Sequence, residues 1–340
     1  MSEFFAEYGL FLLKTVTLAA AIVFVIGSAA AASRKAAQQE GLEVENLNEK
    51  YKALSKGLRK AIMKKDERKA EAKAEKQRAK QEAKSKEHKP RGFVIDFKGD
   101  LKATGVQSLR EEISAILEVA DDRDQVIVRL DNHGGVVHEH GLAASQLIRV
   151  RRRGIPLTVI VDKVAASGGY LMACVANRIY AAPFAILGSI GVIAQIPNFN
   201  RMLDTHGVEF EMVTAGEFKR TVTMFGKNTE KERAKLKEQL EDVHSLFKAA
   251  VQEYRPQLDL DRVATGEYWY GSMALELNLV DELKTSDELL AELAKDHDLF
   301  HVAYKVKQPL QKRLMSSVDG AVEKLDAAGW RRRFESGLPR

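Results

Sequence analysis

Hydrophobic and polar positions fall into three successive regimes along the chain. Residues 8–32 are apolar at nearly every position, Lys14 being the one charge among them. Such a run can cross a hydrocarbon core of about 30 Å as a helix. The small residues at 29–33 would also suit a signal-peptide cleavage site, but no basic residue precedes the apolar stretch, which favours a retained anchor. Residues 36–89 are then built from Lys, Glu, Ala and Gln without proline, a composition that predicts helix rather than flexible linker. Leu47, Tyr51, Leu54 and Leu58 recur there at spacings of four, three and four. That seam is too short for a sustained coiled coil and reads as part of a solvated stalk, with adhesion to anionic lipid a secondary role.

From Pro90 and Gly92 onward the pattern is globular. Apolar runs or alternations predict strands over 93–97, 125–130, Leu157–Val161, Arg178–Ala181, 190–196, 210–213 and 300–306. Helical spacing predicts helices over 109–120, 141–152, 170–176 and 229–254, the last with Leu236, Leu240, Val243 and Phe247 as its buried stripe. Alternation of this kind implies an α/β domain with a mostly parallel sheet. The apolar stretch 179–196 is not a second span, because Pro183, Gly188, Ser189 and Gly191 interrupt it. Trp269 and Tyr270 are expected to be core or interface aromatics, and Leu310, Leu314, Val318, Val322 and Leu325 repeat at helical spacing in the tail. The expected organisation is an N-terminal tail and anchor over 1–32, a charged helical stalk over 33–91, a catalytic-size domain over 92–308 and a helical tail over 309–340.

Charge and composition narrow the function. The net charge of +5 comes largely from the Lys/Glu/Ala segment, which lacks aromatic interleaving or a reader motif, so nucleic acid is not an expected partner. A single cysteine, Cys174, excludes an intrachain disulfide framework and a multi-cysteine metal site. Glu3 and Glu7 precede the apolar run and Arg34 and Lys35 follow it, so the charge rule alone puts the bulk of the chain on the cytoplasmic side.

The candidate chemistry gathers at two junctions. In Val164-Ala-Ala-Ser-Gly-Gly-Tyr170 a serine stands where a buried strand gives way to a helix. Ser167 there is either an N-cap or a nucleophile whose oxyanion the free N–H groups would receive. After strand 125–130 comes Asp131-Asn-His-Gly-Gly135, a second strand end with paired glycines. The N–H groups of Gly135 and Gly168 could then converge on one oxyanion. For the base, His133, His138 and His140, with Asp131 as a triad partner, compete with a lysine whose amine is held neutral by its surroundings. Among the lysines, Lys219 at a strand end beside a glycine turn is favoured over Lys163, which precedes the turn at Ser167.

These segments also carry a resemblance. The Ser167 motif, Gly188-Ser-Ile-Gly-Val192, Ala215-Gly-Glu-Phe-Lys219 and Gly271-Ser-Met-Ala-Leu275 with Leu279-Val-Asp-Glu282 resemble the ordered motifs of the signal peptide peptidase A family of membrane serine proteases. The span and charged extension resemble its SohB branch. The resemblance covers about residues 93–283 and implies a crotonase-like (Clp protease-like) fold and a Ser-Lys dyad without cofactor or metal. Carried over by position, Ser167 is the nucleophile, Lys219 the general base and Ser189 the hydroxyl that orients the amine. Gly168 and Gly135 would form the oxyanion hole, and Gly188, Ile190 and Gly191 would line an extended peptide. It further implies peptide or unfolded-protein substrates such as signal-peptide remnants or misfolded envelope proteins. Membrane lipid around the N-terminal helix, a homo-oligomer that can share serine and lysine between subunits, and the bacterial inner membrane also follow, with the catalytic domain on the periplasmic side against the charge rule. One departure stands out: Asn132-His133 occupies the place where the family commonly has Ser-Pro, which leaves the donor at Gly135 less constrained than that at Gly168. An inactive scaffold on the same fold and a crotonase-type acyl-CoA enzyme are the competing readings.

Overall fold

The computed structural model describes residues 9–20, 23, 40–64, 66–69, 73, 77 and 89–306. It divides into two units, one of residues 1–41 and 305–340 and the other of residues 42–304. In the first unit, residues 9–20 are helical, with Leu10, Phe11, Leu12, Leu13, Val16 and Leu18 exposed. Among the described residues no helix is long and apolar enough to cross a membrane, and much of the anchor expected over 8–32 lies outside them. The tail expected over 309–340 lies outside them as well.

The second unit is a mixed α/β domain. Its strands are β1 (Gly41–Asn46), β2 (Arg91–Gly99), β3 (Gln125–Asn132), β4 (Leu157–Val161), β5 (Val164–Ala166), β6 (Arg178–Ala181), β7 (Ile186–Gly188), β8 (Tyr268–Tyr270), β9 (Glu282–Leu283) and β10 (Asp298–Lys305). The main sheet runs β1-β10-β2-β3-β4-β6-β9, and β5, β7 and β8 branch from it. Pairing is parallel from β10 through β9 as expected, with Val126 opposite Leu157 and Val159 opposite Ile179. The helices are α1 (Leu47–Ile62), α2 (Val106–Val119), α3 (Val137–Arg152), α4 (Gly168–Cys174), α5 (Asn200–Thr205), α6 (Glu230–Tyr254), α7 (Leu260–Val263), α8 (Gly271–Glu276) and α9 (Ser286–Asp296).

Both faces of the sheet are covered, which is why its central strands read as unbroken apolar runs. Ile95, Val126, Val128, Leu157 and Val159 point to one face, against Leu109 and Ile113 of α2, Leu147 of α3 and Tyr170 and Met172 of α4. Val94, Ile127, Ile160 and Leu299 point to the other, against Leu47 of α1 and Leu289 and Leu290 of α9. Each such side chain, fully buried, contributes roughly 1.5–3 kcal/mol.

Three sequence expectations are corrected. The continuous helix expected over 36–89 is broken by β1, which joins the sheet edge beside β10. Asn46 ends that strand and caps α1, accepting from Glu49 N–H at 3.1 Å. The start of the supposed stalk is therefore docked: Leu47 is buried, Tyr51 packs beside it, and only Leu54 and Leu58 remain exposed. Asn48 Nδ2 donates to the carbonyls of Ala294 (3.0 Å) and His297 (2.9 Å), and its Oδ1 accepts from Leu299 N–H at 2.7 Å. The strand expected over 190–196 is absent: the paired strand, β7, ends at Gly188, after which a residue of positive φ, Ser189, turns the chain out of the sheet. Residues 210–213 form no strand either. They are exposed and have no neighbouring strand to complete their hydrogen bonds.

In α6, a capping box at Thr229 and Glu232 fixes the start, and Phe247 and Val251 form the fully buried part of its stripe. Leu236, Leu240 and Val243 are half-buried.

Candidate active site

The site grows from a fork in the sheet. The body of β3 pairs with β4, but its last residue, Asn132, pairs with Ala165 of β5. β5 in turn pairs with β7, Ala166 opposite Gly188, so Ser167 and Ser189 leave adjacent parallel strands side by side. Both adopt positive φ, 51° and 52°. Non-glycine residues in sparsely populated backbone regions cost about 1–3 kcal/mol each, so the surrounding structure must hold them there. For Ser167 it does so through a hydrogen bond from its N–H to Gly188 O at 2.8 Å and one from Leu171 N–H to its carbonyl at 3.0 Å. Its side chain stands half-buried at the start of α4.

The glycines that flank Ser167 are required by contact. A Cβ on Gly168 would stand 2.5 Å from His140 Cγ, and one on Gly169 would stand 2.2 Å from the carbonyl oxygen of Asn132. The second junction lies against the first. A Cβ on Gly134, whose φ is +85°, would come within 2.8 Å of Ala166 O, Gly168 N and Ser167 Cβ, and one on Gly135 within 2.2 Å of Leu101 O. Neither the N–H of Gly135 nor that of Gly168 meets an acceptor among the described residues. N–H groups left without a protein acceptor at such a junction can donate to an oxygen on which negative charge develops.

The other expected residues are distributed unevenly. Ser189 N–H donates to Glu267 O at 2.6 Å, and Gly191 N–H to Ser189 O at 2.9 Å. Gly188 is paired on both sides, with Ala166 in β5 and Tyr268 in antiparallel β8, and Ile190 is fully buried in the core. Neither edge of Gly188 is therefore open to a peptide, whereas Gly191 lies beyond the paired strands. Lys219 sits on an exposed segment, its backbone N–H bonded to Gly216 O at 3.1 Å. Among the described residues no hydrogen bond joins its amine to Ser167 or Ser189. The neighbouring Phe218 lies under the ammonium groups of Lys231 and Lys235, 5.7 and 5.2 Å from its ring centre.

The histidines are placed against a triad. His133 and His138 are exposed, and His140 is buried with Nδ1 at 3.0 Å from Val136 O and Nε2 at 3.2 Å from Asn132 Oδ1. Asp131 faces Lys163 at 3.9 Å instead of a histidine. Asn132 Oδ1 also accepts from Gly134 N–H at 2.9 Å, so this asparagine closes the glycine turn. Asn followed two residues later by Gly is the sequence mark of such an Asx-turn, a signal present at 132–134. Burial pushes the Cys174 thiol up to about 12, which leaves it an inert core group.

Comparison with known proteins bears on this arrangement. The family model described as peptidase family S49 N-terminal matches residues 3–147, and that described as peptidase family S49 matches residues 149–299. The "Probable protease SohB" of Haemophilus influenzae is 55% identical over 67% of this chain and 64% of its own length. The protein of the same name from Buchnera aphidicola subsp. Acyrthosiphon pisum is 52% identical over 68% of this chain and 69% of its own. The chain belongs to peptidase family S49. "Protease 4" of Salmonella typhi is a more distant relative, 27% identical over 58% of this chain and 32% of its own length. The matched stretch thus spans just under two thirds of the Haemophilus protein.

Two of the S49-like motifs are scaffold in this chain. A Cβ on Gly271 would stand 2.1 Å from Ala182 O, so the turn into α8 needs glycine to lie on that backbone. Asp281 accepts from Ile179 N–H at 2.7 Å and takes both arms of the buried Arg255 guanidinium, at 2.9 and 2.8 Å. Tyr170 OH donates to Leu279 O at 2.9 Å, tying α4 to the same corner.

Proposed function

We propose that this S49 peptidase is a membrane-anchored serine endopeptidase that uses Ser167 as nucleophile and Lys219 as general base. The observation that carries the reading is the conformation of Ser167, a serine at φ 51° on a strand-to-helix turn with a second glycine turn pressed against it. In the reaction, neutral Lys219 accepts the Ser167 proton as the oxygen adds to a peptide carbonyl, and then gives it to the leaving amine. Water, deprotonated by the same lysine, releases the acyl group and returns Ser167 to its hydroxyl form. Gly168 and Gly135 N–H hold the oxyanion in both tetrahedral states, and Ser189 orients the lysine amine.

In the chain alone, the segment bearing Lys219 is exposed, which supports a homo-oligomer in which a neighbouring copy supplies the lysine. Residues 8–32 anchor the protein in the bacterial inner membrane. Its substrates are extended peptides, such as signal-peptide remnants or segments of misfolded membrane and envelope proteins.

Hydrolysis of a fluorogenic peptide by the full chain tests the proposal. Ser167→Ala and Lys219→Ala are each expected to abolish turnover, and a mixture of the two variants to regain a measurable fraction of it. Retained activity in Lys219→Ala refutes the base, retained activity in Ser167→Ala refutes the nucleophile, and a silent mixture refutes the shared site.

A further inference from the structure

Asn132 and His140 form a buried polar pair that no step of the proposed reaction uses, and both are fully enclosed. Asn132 stands where the sheet forks, opposite Gly99 in β2 and Ala165 in β5. Its side chain occupies the space above Gly99, where a Cβ would come within 2.2 Å of Asn132 Cγ. The orientation of its amide is set by its neighbours: Oδ1 must accept from Gly134 N–H at 2.9 Å, while Nδ2 faces Met172 Sδ at 3.3 Å. The same Oδ1 meets His140 Nε2 at 3.2 Å, and the other ring nitrogen meets Val136 O at 3.0 Å. The ring of that imidazole lies against Gly168, whose Cβ position would be 2.5 Å from Cγ and 2.7 Å from Cδ2.

One ring and one amide therefore touch both glycine turns. Asn132 closes the turn that leads into Gly135, and His140 is wedged between Asn132 and Gly168. We infer that Asn132 and His140 are positioning residues that fix the separation of the Gly135 and Gly168 N–H groups, and so the width of the oxyanion hole. The inference rests on the serine-protease reading of the site. Neither residue touches the reacting atoms. Their contribution is to keep two backbone donors, carried by different strand ends, at a spacing that suits one oxygen. Departure from that geometry weakens transition-state stabilisation while leaving ground-state peptide binding intact. In this chain Asn132 supplies by hydrogen bonding a constraint on the turn that a proline at position 133 would supply through φ.

The test uses the full chain with three variants, His140→Phe, His140→Gln and Asn132→Ser. Phenylalanine keeps the ring against Gly168 but has no N–H for Asn132. Glutamine can still offer an amide N–H to Asn132 Oδ1 from near the position of Nε2. Serine at 132 can still close the Gly134 turn but does not reach His140, which keeps the test open if His140→Phe fails to fold. Two rates are measured: steady-state hydrolysis of a fluorogenic peptide, and labelling of Ser167 by a fluorophosphonate, whose phosphoryl oxygen takes the oxyanion position.

Removing an oxyanion donor outright costs roughly 100- to 1,000-fold. Loosening two donors is expected to cost about 10- to 100-fold in both kcat and labelling for His140→Phe, with KM within about threefold. His140→Gln should recover most of that loss, and Asn132→Ser should fall between the two. Hydrogen exchange in peptides covering 131–137 and 166–170 should rise in step with the loss of rate. Unchanged labelling in His140→Phe or in Asn132→Ser overturns the inference while the protease reading stands, and so does an equal loss in His140→Phe and His140→Gln. If the unmodified chain labels at no serine, the protease reading fails and this inference falls with it.

Discussion

The positive φ of Ser167 makes a prediction that stability measurements can check without any substrate. Alanine at 167 removes the hydroxyl but keeps a Cβ in the same backbone region, φ 51° and ψ −121°. Glycine removes the Cβ as well and adopts such conformations freely. If the turn holds roughly 1–3 kcal/mol of backbone strain, glycine recovers it, less about 0.5–1 kcal/mol for the greater freedom of a glycine in the unfolded chain. The net expectation is that Ser167→Gly is more stable than Ser167→Ala by about 1 kcal/mol, within a range of roughly 0 to 2.5 kcal/mol. For a domain of this size, a difference of about 1 kcal/mol corresponds to a Tm roughly 2–4 °C higher. The assay is differential scanning calorimetry of the two variants at matched concentration and scan rate, since both are expected to be inactive and differ only by one methyl group. A glycine variant less stable than the alanine variant would show that the turn is unstrained, and the main support for Ser167 as the nucleophile would be gone.

Other consequences can be read from the contacts. Gly168→Ala drives a methyl group into the His140 ring, and should destabilise by about 1–3 kcal/mol and lower labelling of Ser167 at least 100-fold; near-normal labelling would contradict the close approach. Asn48→Ala removes three hydrogen bonds that dock α1, and should cost about 2–3 kcal/mol in urea titration, whereas a free stalk would show no change. Burial pushes the Glu112 carboxyl up to about 7, against the pull of the Tyr304 N–H that it accepts. Its folded pKa lies above its ordinary value of 4.5, so the stability it contributes is full below pH 4.5 and is lost as pH rises through 7. Up to about 3 kcal/mol is involved. Glu112→Gln should flatten the stability profile over that range, and a parallel profile would refute the assignment. Asp96 behaves in the opposite sense: burial works against its ionisation, but the His301 ring 3.2 Å away and the Arg129 guanidinium bonded to it outweigh burial and hold the group at about 2. Asp96→Asn should therefore cost stability at neutral pH, with the difference closing as pH falls from about 4 toward 2.

The sheet was legible in the sequence because its strands are buried on both faces, and continuous runs such as Leu157–Val161 have few alternatives. Ser167 and the two glycine junctions were legible for a related reason: backbone packed on backbone leaves no choice but glycine, as at Gly169 against Asn132 O. Elements that depend on a distant partner were not. β1 is polar at most positions and is a strand because β10 lies beside it, while residues 190–196 and 210–213 have strand-like composition and no partner to pair with. His140 looked like one of three equivalent histidines, because nothing local reveals that its ring is enclosed between Asn132 and Gly168. The relation of Lys219 to Ser167 is the least legible feature, since it turns on how an exposed segment is placed.

The docking of β1 and α1 has a consequence for how the protein is made. Asn48 is tied to Ala294, His297 and Leu299, partners some 250 positions later in the sequence. β10, which β1 completes, is the last strand described. During synthesis the early segment leaves the ribosome long before the strand that receives it exists. The polypeptide must carry Leu47 and Tyr51 uncovered until nearly the whole domain has emerged, and closure of the sheet edge is then a late event joining the beginning of the domain to its end.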